Sequence, residues 1–202
     1  MTGYLVPAQS IDVEEVIKNS QFITRIKPVS SVDEAKAFIR HLNQTYADAT
    51  HHCWAYIVGN PSSTTLMGCS DDGEPSGTAG KPMLTVLQYS GIGDIIAVCT
   101  RYYGGTKLGT GGLTRAYGGG VKLALEALSV TQKVNYQTLS FLIDYGQLKD
   151  CEHLLKQYQI ENLQQQFDTQ IGISFDIASE EVTQFKTTIK NKLKGQITWN
   201  TT

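Results

Sequence analysis

The sequence has no global electrostatic handle. Its 202 residues carry 17 Lys and Arg against 19 Asp and Glu, a formal charge of −2. Nothing therefore pulls the whole chain toward nucleic acid or membrane, and a charged partner must be read from local clustering. Cysteine is scarce: Cys53, Cys69, Cys99 and Cys151 include no C-x-x-C pair, which excludes a zinc ribbon and a thioredoxin-type redox motif. They stand in apolar surroundings such as C-W-A-Y-I-V and I-I-A-V-C-T and are expected to be reduced core thiols of a cytoplasmic protein. No basic stretch followed by an apolar core opens the chain, so no secretory leader is expected. No apolar run approaches the roughly 20 residues that span a bilayer, so no membrane partner is expected either. H-E-x-x-H and G-x-S-x-G are missing, and with them two common hydrolase signatures.

What is there is globular. Hydrophobic residues make up 41% of the chain and charged residues 18%, which argues against global disorder. The length suits one large domain or two small ones, either able to bury a core without staples.

The first part of the chain predicts strands over 11–17 and 21–26, joined at Asn19-Ser20. Ser31-x-x-Glu34 has the spacing of a capping box, and Ala35, Phe38, Ile39 and Leu42 follow at helical spacing, predicting a helix over 32–46. Strands are predicted over 53–59 and 64–69 around the turn Asn60-Pro61-Ser62-Ser63. Residues 70–80, S-D-D-G-E-P-S-G-T-A-G, form a long polar loop, and such loops tend to carry function. A helix over 79–90 and a buried central strand over 94–100 follow, then a glycine-rich segment and a helix over 114–128. The three glycines Gly118, Gly119 and Gly120 oppose that helix by about 1 kcal/mol each relative to alanine. They imply that something approaches the backbone there, a packed strand or a ligand. Residues 130–135 read as a connector. Beyond it the pattern is strand 136–143, helix 147–158, strands 162–167 and 171–177 around Asp168-Thr169, helix 179–193 stopped by Gly195, and a last strand 196–199. That order is the βαββαβ, ferredoxin-like pattern. The expected domains are 1–130 and 136–202, in the α+β class.

The segment Arg101–Gly120, R-Y-Y-G-G-T-K-L-G-T-G-G-L-T-R-A-Y-G-G-G, carries the functional signal. It follows a buried strand and opens a helix, which gathers backbone N–H groups and the positive end of a helix dipole in one place. From Gly77 to Lys133 the bases are Lys81, Arg101, Lys107, Arg115, Lys122 and Lys133, and the acids are only Asp94 and Glu126. A local excess of four positive charges predicts an anion-binding surface. The candidate polyanion-binding residues are Arg101, Tyr102, Tyr103, Gly104, Gly105, Lys107, Gly109, Gly111, Gly112 and Arg115, with Lys81. Tyr102 and Tyr103 would offer a stacking face for a base. The segment is not a P-loop, because Pro75 and Pro82 stand where glycine and Ser/Thr are needed around Gly80-Lys81. It is not a dinucleotide fingerprint either, because Gly109-x-Gly111 is followed by Thr at 114. The glycines also serve close helix–sheet packing, a reading compatible with the first.

The polar loop supplies a second candidate group: Asp71, Asp72, Glu74, Ser76 and Thr78. With His51-His52-Cys53 these acids suit a hydrolytic or metal-assisted site, for example Mg²⁺ held between carboxylates and a phosphate. The same acids suit plain turn and cap chemistry, and adjacent histidines in a regular strand point to opposite faces, so both cannot bind one metal. No catalytic residue, metal ligand or cofactor is assigned.

Asp71–Met83 (D-D-G-E-P-S-G-T-A-G-K-P-M) followed by Arg101–Tyr117 strongly resembles the YigZ/IMPACT family. The resemblance implies a ribosomal-protein-like first domain with a left-handed βαβ crossover and a ferredoxin-like second domain, together similar to the fourth and fifth domains of elongation factor G. It also implies a role in translation. Eukaryotic relatives are translational regulators that bind a regulatory protein, an activator of an initiation-factor kinase; for bacterial members the implied partner is RNA or the ribosome. The expected function is a translation-associated binding protein that contacts RNA or the ribosome through the glycine-rich basic surface. A small-phosphate or metal-dependent hydrolase using the Asp71–Gly80 loop is the alternative, and a protein–protein regulator of translation is another.

Overall fold

The computed structural model describes residues 3–62, 66–195 and 197–199. The chain is α+β and folds as two compact units, the first Tyr4–Lys133 and the second beginning at Val134. The first contains β1 (Tyr4–Pro7), β2 (Ile11–Ile17), β3 (Ser20–Pro28), α1 (Val32–Thr45), β4 (His51–Ile57), β5 (Met67–Ser70), α2 (Gly80–Ser90), β6 (Ile95–Tyr102), α3 (Thr110–Ala127) and β7 (Val130–Lys133). Five of its strands form one antiparallel sheet in the order β2-β3-β6-β4-β5. Since β6 runs opposite to both of its neighbours, β3–α1–β4 is a βαβ crossover between parallel strands that straddles β6. Helix α1 packs on one face of the sheet, and α2 and α3 on the other. This explains the unbroken apolar run of β6: both alternations of its side chains face a helix layer, and Ile95–Arg101 is wholly buried.

Local sequence chemistry accounts for most boundaries. The β2–β3 turn falls at Lys18-Asn19, both with positive φ (47° and 63°), one residue ahead of the expected pair, as the twist of a two-residue hairpin favours. The shift turns Ser20 fully inward. At α1, Ser31 Oγ accepts from the Glu34 amide at 3.1 Å, but the Glu34 carboxylate reaches one residue further back, accepting from Ser30 N at 2.7 Å. Helix α3 starts four residues before the expected Thr114, at Thr110, because Gly109 takes the φ of 74° that lets the chain enter the helix. The expected connector at 130–135 is corrected: Val130–Lys133 pairs antiparallel with Tyr4–Pro7 as β7. Lys133 and the Tyr4 hydroxyl both bond the Asp94 carboxylate there. Cys53, Cys99 and Cys151 are buried, whereas Cys69 is exposed on the edge strand β5 and is no core thiol. Ser63 of the predicted turn, residues 64–65 of the predicted strand, and Gln196 of the last one lie outside the described residues.

The second unit contains β8 (Tyr136–Ile143), a 3₁₀ turn at Tyr145–Gln147, α4 (Leu148–Leu155), β9 (Ile160–Phe167), β10 (Ile171–Ala178), α5 (Val182–Lys192) and β11 (Thr198–Trp199). Its antiparallel sheet has the order β11-β8-β10-β9. Counted from the first strand of the unit this is fourth, first, third, second, the order of a ferredoxin-like βαββαβ fold. Phe141, Phe175 and Phe185 form its centre with edge-to-face and tilted contacts. Among the described residues no helix is long and apolar enough to cross a membrane.

Candidate functional site

The polar loop and the glycine-rich segment meet in the first unit through one buried carboxylate. Strand β6 delivers Arg101 to its end on the α2–α3 side, beside Phe22, and leaves it only 5% exposed. A guanidinium held there needs an acid. The partner is Glu74, 8% exposed, whose Oε1 accepts from Arg101 Nη1 at 2.5 Å and from the Tyr117 hydroxyl at 2.7 Å. Arg101 Nη2 also donates to Ser20 Oγ at 3.3 Å. Burial pushes the Tyr117 phenol far above its ordinary range, so it remains a neutral donor. Tyr117 lies on α3, so loop, central strand and helix are tied at one point.

The rest of the loop is organised by Asp71. Its Oδ2 accepts from the Gly77 amide at 2.8 Å, and its Oδ1 from the amides of Ala79 at 2.9 Å and Gly80 at 2.8 Å. Burial disfavours its charge, but these three amides prevail and hold its carboxyl below the usual carboxylate range. Asp71 therefore caps α2, which has no cap from its own N-cap residue, Ala79. Asp72 accepts from the His52 amide through Oδ2 at 2.6 Å and from His51 Nδ1 through its carbonyl at 2.7 Å. Thr78 is buried and donates to the Pro75 carbonyl at 2.6 Å, while Ser76 is exposed. Of the expected loop group, Asp71, Asp72, Glu74 and Thr78 thus hold the loop in place. His51 and His52 point to opposite faces: His52 is buried between Thr100 Oγ1 and the Tyr46 carbonyl, at 3.1 Å from each. Cys53 is no nucleophile, since burial pushes its thiol up and it donates to the Asp71 carbonyl at 2.9 Å. Among the described residues no cluster of three or more His, Cys, Asp or Glu is arranged to hold a metal ion.

Several residues of the expected polyanion group are corrected. Arg101 is a buried structural ion and not a surface phosphate ligand. Tyr102 lies on the other face of the sheet, its hydroxyl 3.3 Å from Asp48 Oδ1, so alternation separates it from Tyr103 and the two cannot form one stacking face. Tyr103 is 45% exposed, with the Arg101 guanidinium 5.4 Å from its ring. Gly104 is glycine because a Cβ there would lie 1.9 Å from the Asn19 carbonyl oxygen. Gly105 and Gly109 take positive φ, and Gly111 and Gly112 lie in the first turn of α3.

The remaining cations stay at the surface. Of the six bases from Gly77 to Lys133, Arg101 and Lys133 are used by Glu74 and Asp94. Lys81, Lys107, Arg115 and Lys122 remain exposed. Three of them gather in an open groove of about 690 Å³ between α2 and α3, lined by Lys81, Pro82, Val86, Arg115, Gly119 and Lys122 among others, none of them acidic. The glycines of α3 divide their roles along this helix. Gly120 packs against β3, where a Cβ would lie 2.5 Å from Thr24 Oγ1, whereas Gly118 and Gly119 leave the groove open. The sequence reading missed Lys122 as a member and missed Glu74 as the partner of Arg101. The signal for the second was available: an arginine ending a buried strand requires an acid, and the only acids from 77 to 133, Asp94 and Glu126, stand elsewhere.

The fold and this site define a class: a two-domain α+β protein whose first domain joins a D-D-G-E-P loop to a glycine-rich strand–helix junction. The chain belongs to the IMPACT family. Residues 18–125 match the Impact N-terminal domain, and residues 141–196 match a domain of unknown function, DUF1949. An IMPACT family member of Haemophilus influenzae is 43% identical over 98% of this chain and 96% of its own length. The IMPACT family member YigZ of Escherichia coli is 40% identical, covering 98% and 97%. A crystal structure of a hypothetical protein, 39% identical, superposes with a TM-score of 0.70 over 100% of this chain and 98% of that one.

Proposed function

We propose that this protein is a translation-associated binding protein that holds RNA, ribosomal RNA included, by the phosphate backbone along the α2–α3 groove. The observation that carries this reading is the groove itself: Lys81 on α2 faces Arg115 and Lys122 on α3 across a concave surface without a carboxylate. Arg115 and Lys122 are seven residues apart, about 10 Å along a helix, so the cations form a line and not a point. Among the described residues the only acid paired with them is Glu126, 3.9 Å from Lys122 at an exposed i,i+4 position, a contact too weak to compete with a phosphate. The role in translation is what membership of the family implies. Binding works by neutralising phosphates and releasing counterions, so it is steeply salt-dependent.

RNA binding by wild type and by a Lys81→Ala/Arg115→Ala/Lys122→Ala variant, followed by fluorescence anisotropy over a salt series, tests the reading. The variant is expected to bind more weakly, with the log–log salt slope reduced in magnitude by about 2, roughly 0.7 per lost phosphate contact on a single strand. Equal affinities and slopes would remove the groove as the binding surface. Cosedimentation with ribosomes at low salt, lost at high salt and in the variant, is the corresponding test in extract.

A further inference from the structure

A second concavity of the first unit shares no lining residue with the α2–α3 groove. It has a volume of about 460 Å³ and lies between Thr50-His51, the Glu74-Pro75 corner and the stretch from Tyr103 to Leu113. That volume is in the range of small-molecule sites. Pro75, Tyr103, Leu108 and Leu113 give it apolar walls.

Its polar groups are few and incompletely used. Arg101, 5% exposed, lines the cavity, and its Nε has no hydrogen-bond partner among the described residues. Buried donors without partners are uncommon in native proteins. Glu74 spends Oε1 on both Arg101 and Tyr117, which leaves Oε2 to accept from another donor. His51 Nδ1 faces the Asp72 carbonyl, which can only accept, so Nδ1 carries a proton, and in the neutral form of the ring Nε2 is an acceptor. Across the cavity lies the start of the 18-residue helix α3, whose N-cap Gly109 supplies no side-chain cap. Lys107 beside it is exposed and has no ion-pair partner among the described residues. The Lys107 and α3 side of the cavity therefore suits an anion, and the Glu74 and His51 side offers acceptors beside the Arg101 Nε donor.

We infer that this cavity binds a small organic phosphate of mononucleotide size. The phosphate lies at Lys107 and the first-turn amides of α3, the heterocycle packs on Tyr103 and the apolar wall, and Glu74 Oε2 accepts a ring or amino N–H. The same chemistry is presented by a free mononucleotide and by the phosphorylated end of an RNA strand.

Calorimetric titration of the full chain with AMP, GMP, CMP, UMP and inorganic phosphate tests this. Saturable binding of at least one mononucleotide is expected. Lys107→Ala should weaken it by about tenfold, the scale of one charge-assisted hydrogen bond. Thr110→Trp, an exposed position on the cavity rim, should abolish it while circular dichroism and melting stay unchanged. The groove variant Lys81→Ala/Arg115→Ala/Lys122→Ala should bind the mononucleotide as wild type does, and Thr110→Trp should keep the groove's RNA binding, so this proposal and the groove fail separately. Competition by an oligoribonucleotide with a terminal phosphate, but not by its dephosphorylated form, would assign the strand end as the source; competition by neither would assign the free nucleotide. No saturable binding of any of the four up to millimolar concentration overturns the inference. So does binding that is indifferent to both Lys107→Ala and Thr110→Trp.

Discussion

The two halves of the glycine-rich segment look alike in composition and differ in what the fold does with them. From Arg101 to Gly104 the distinctive residues other than Tyr103 are spent internally. Arg101 is buried against Glu74, Tyr102 is turned to the opposite face of the sheet, and Gly104 sits where a methyl group would strike the β2–β3 hairpin. From Lys107 to Lys122 the cations are offered to solvent. Lys107, Arg115 and Lys122 are exposed, and Gly118 and Gly119 keep a groove open between two helices. The difference comes from position relative to the central strand. Arg101 and Tyr102 still belong to β6, and Arg101 shares the burial of that strand, whereas the second half lies on and before a helix with only one face against the core. A basic or glycine residue is thus defined by the element that carries it, and counting charges along the segment overstates the surface charge of its first half.

The largest effect that can break this contrast is at the buried ion pair. Glu74→Ala leaves Arg101 uncompensated and should lower stability by about 3–5 kcal/mol in chemical denaturation. The triple change Glu74→Leu/Arg101→Met/Tyr117→Phe should restore much of that loss, because a well-packed apolar set replaces the pair without a desolvation cost. A loss below about 1 kcal/mol in Glu74→Ala would mean that Arg101 is solvated after all. Next in size is Gly104→Ala, expected to cost about 1–3 kcal/mol by overpacking against the Asn19 backbone. Wild-type stability there would show that the hairpin contact is loose.

Asp71→Asn should cost about 1–2 kcal/mol, the scale of a lost helix cap. The pH dependence sharpens that test. The Asp71 carboxyl titrates below its ordinary value, which is about 3.9 in an unfolded chain. Its stabilisation is therefore complete above that value and drains as pH falls through the lower, folded one. The difference between wild type and Asp71→Asn should shrink on acidification below about pH 4; a constant difference down to pH 2 would assign the effect to geometry alone. The smallest effect has the opposite sign. Gly119→Ala meets nothing within 4 Å in the middle of a helix and should raise stability by roughly 1 kcal/mol, which thermal melting would register as a higher midpoint.

Much of the fold was legible because it rests on local periodicity and turn chemistry. The apolar run of β6, the Ser31 cap and each single element of the βαββαβ second unit are written within a dozen or so residues. The ends of elements were less so. Gly109 admits α3 early, and Val130–Lys133, with no apolar alternation, becomes a strand only because Tyr4–Pro7 lies beside it. Within the site, the long D-D-G-E-P loop and the surface cations were readable, and the allocation of Arg101 and Glu74 was not. The contact joins residues 27 apart, and nothing local distinguishes an arginine aimed at a phosphate from one aimed at a buried carboxylate.

By itself, then, the sequence determined the α+β class and the local positive excess along the glycine-rich segment, since composition and spacing depend only on near neighbours. Which of those charges remain free was decided only in the tertiary structure. Burial sets whether a charge must be paired, and burial is a property of how α2, α3 and the central strand pack together.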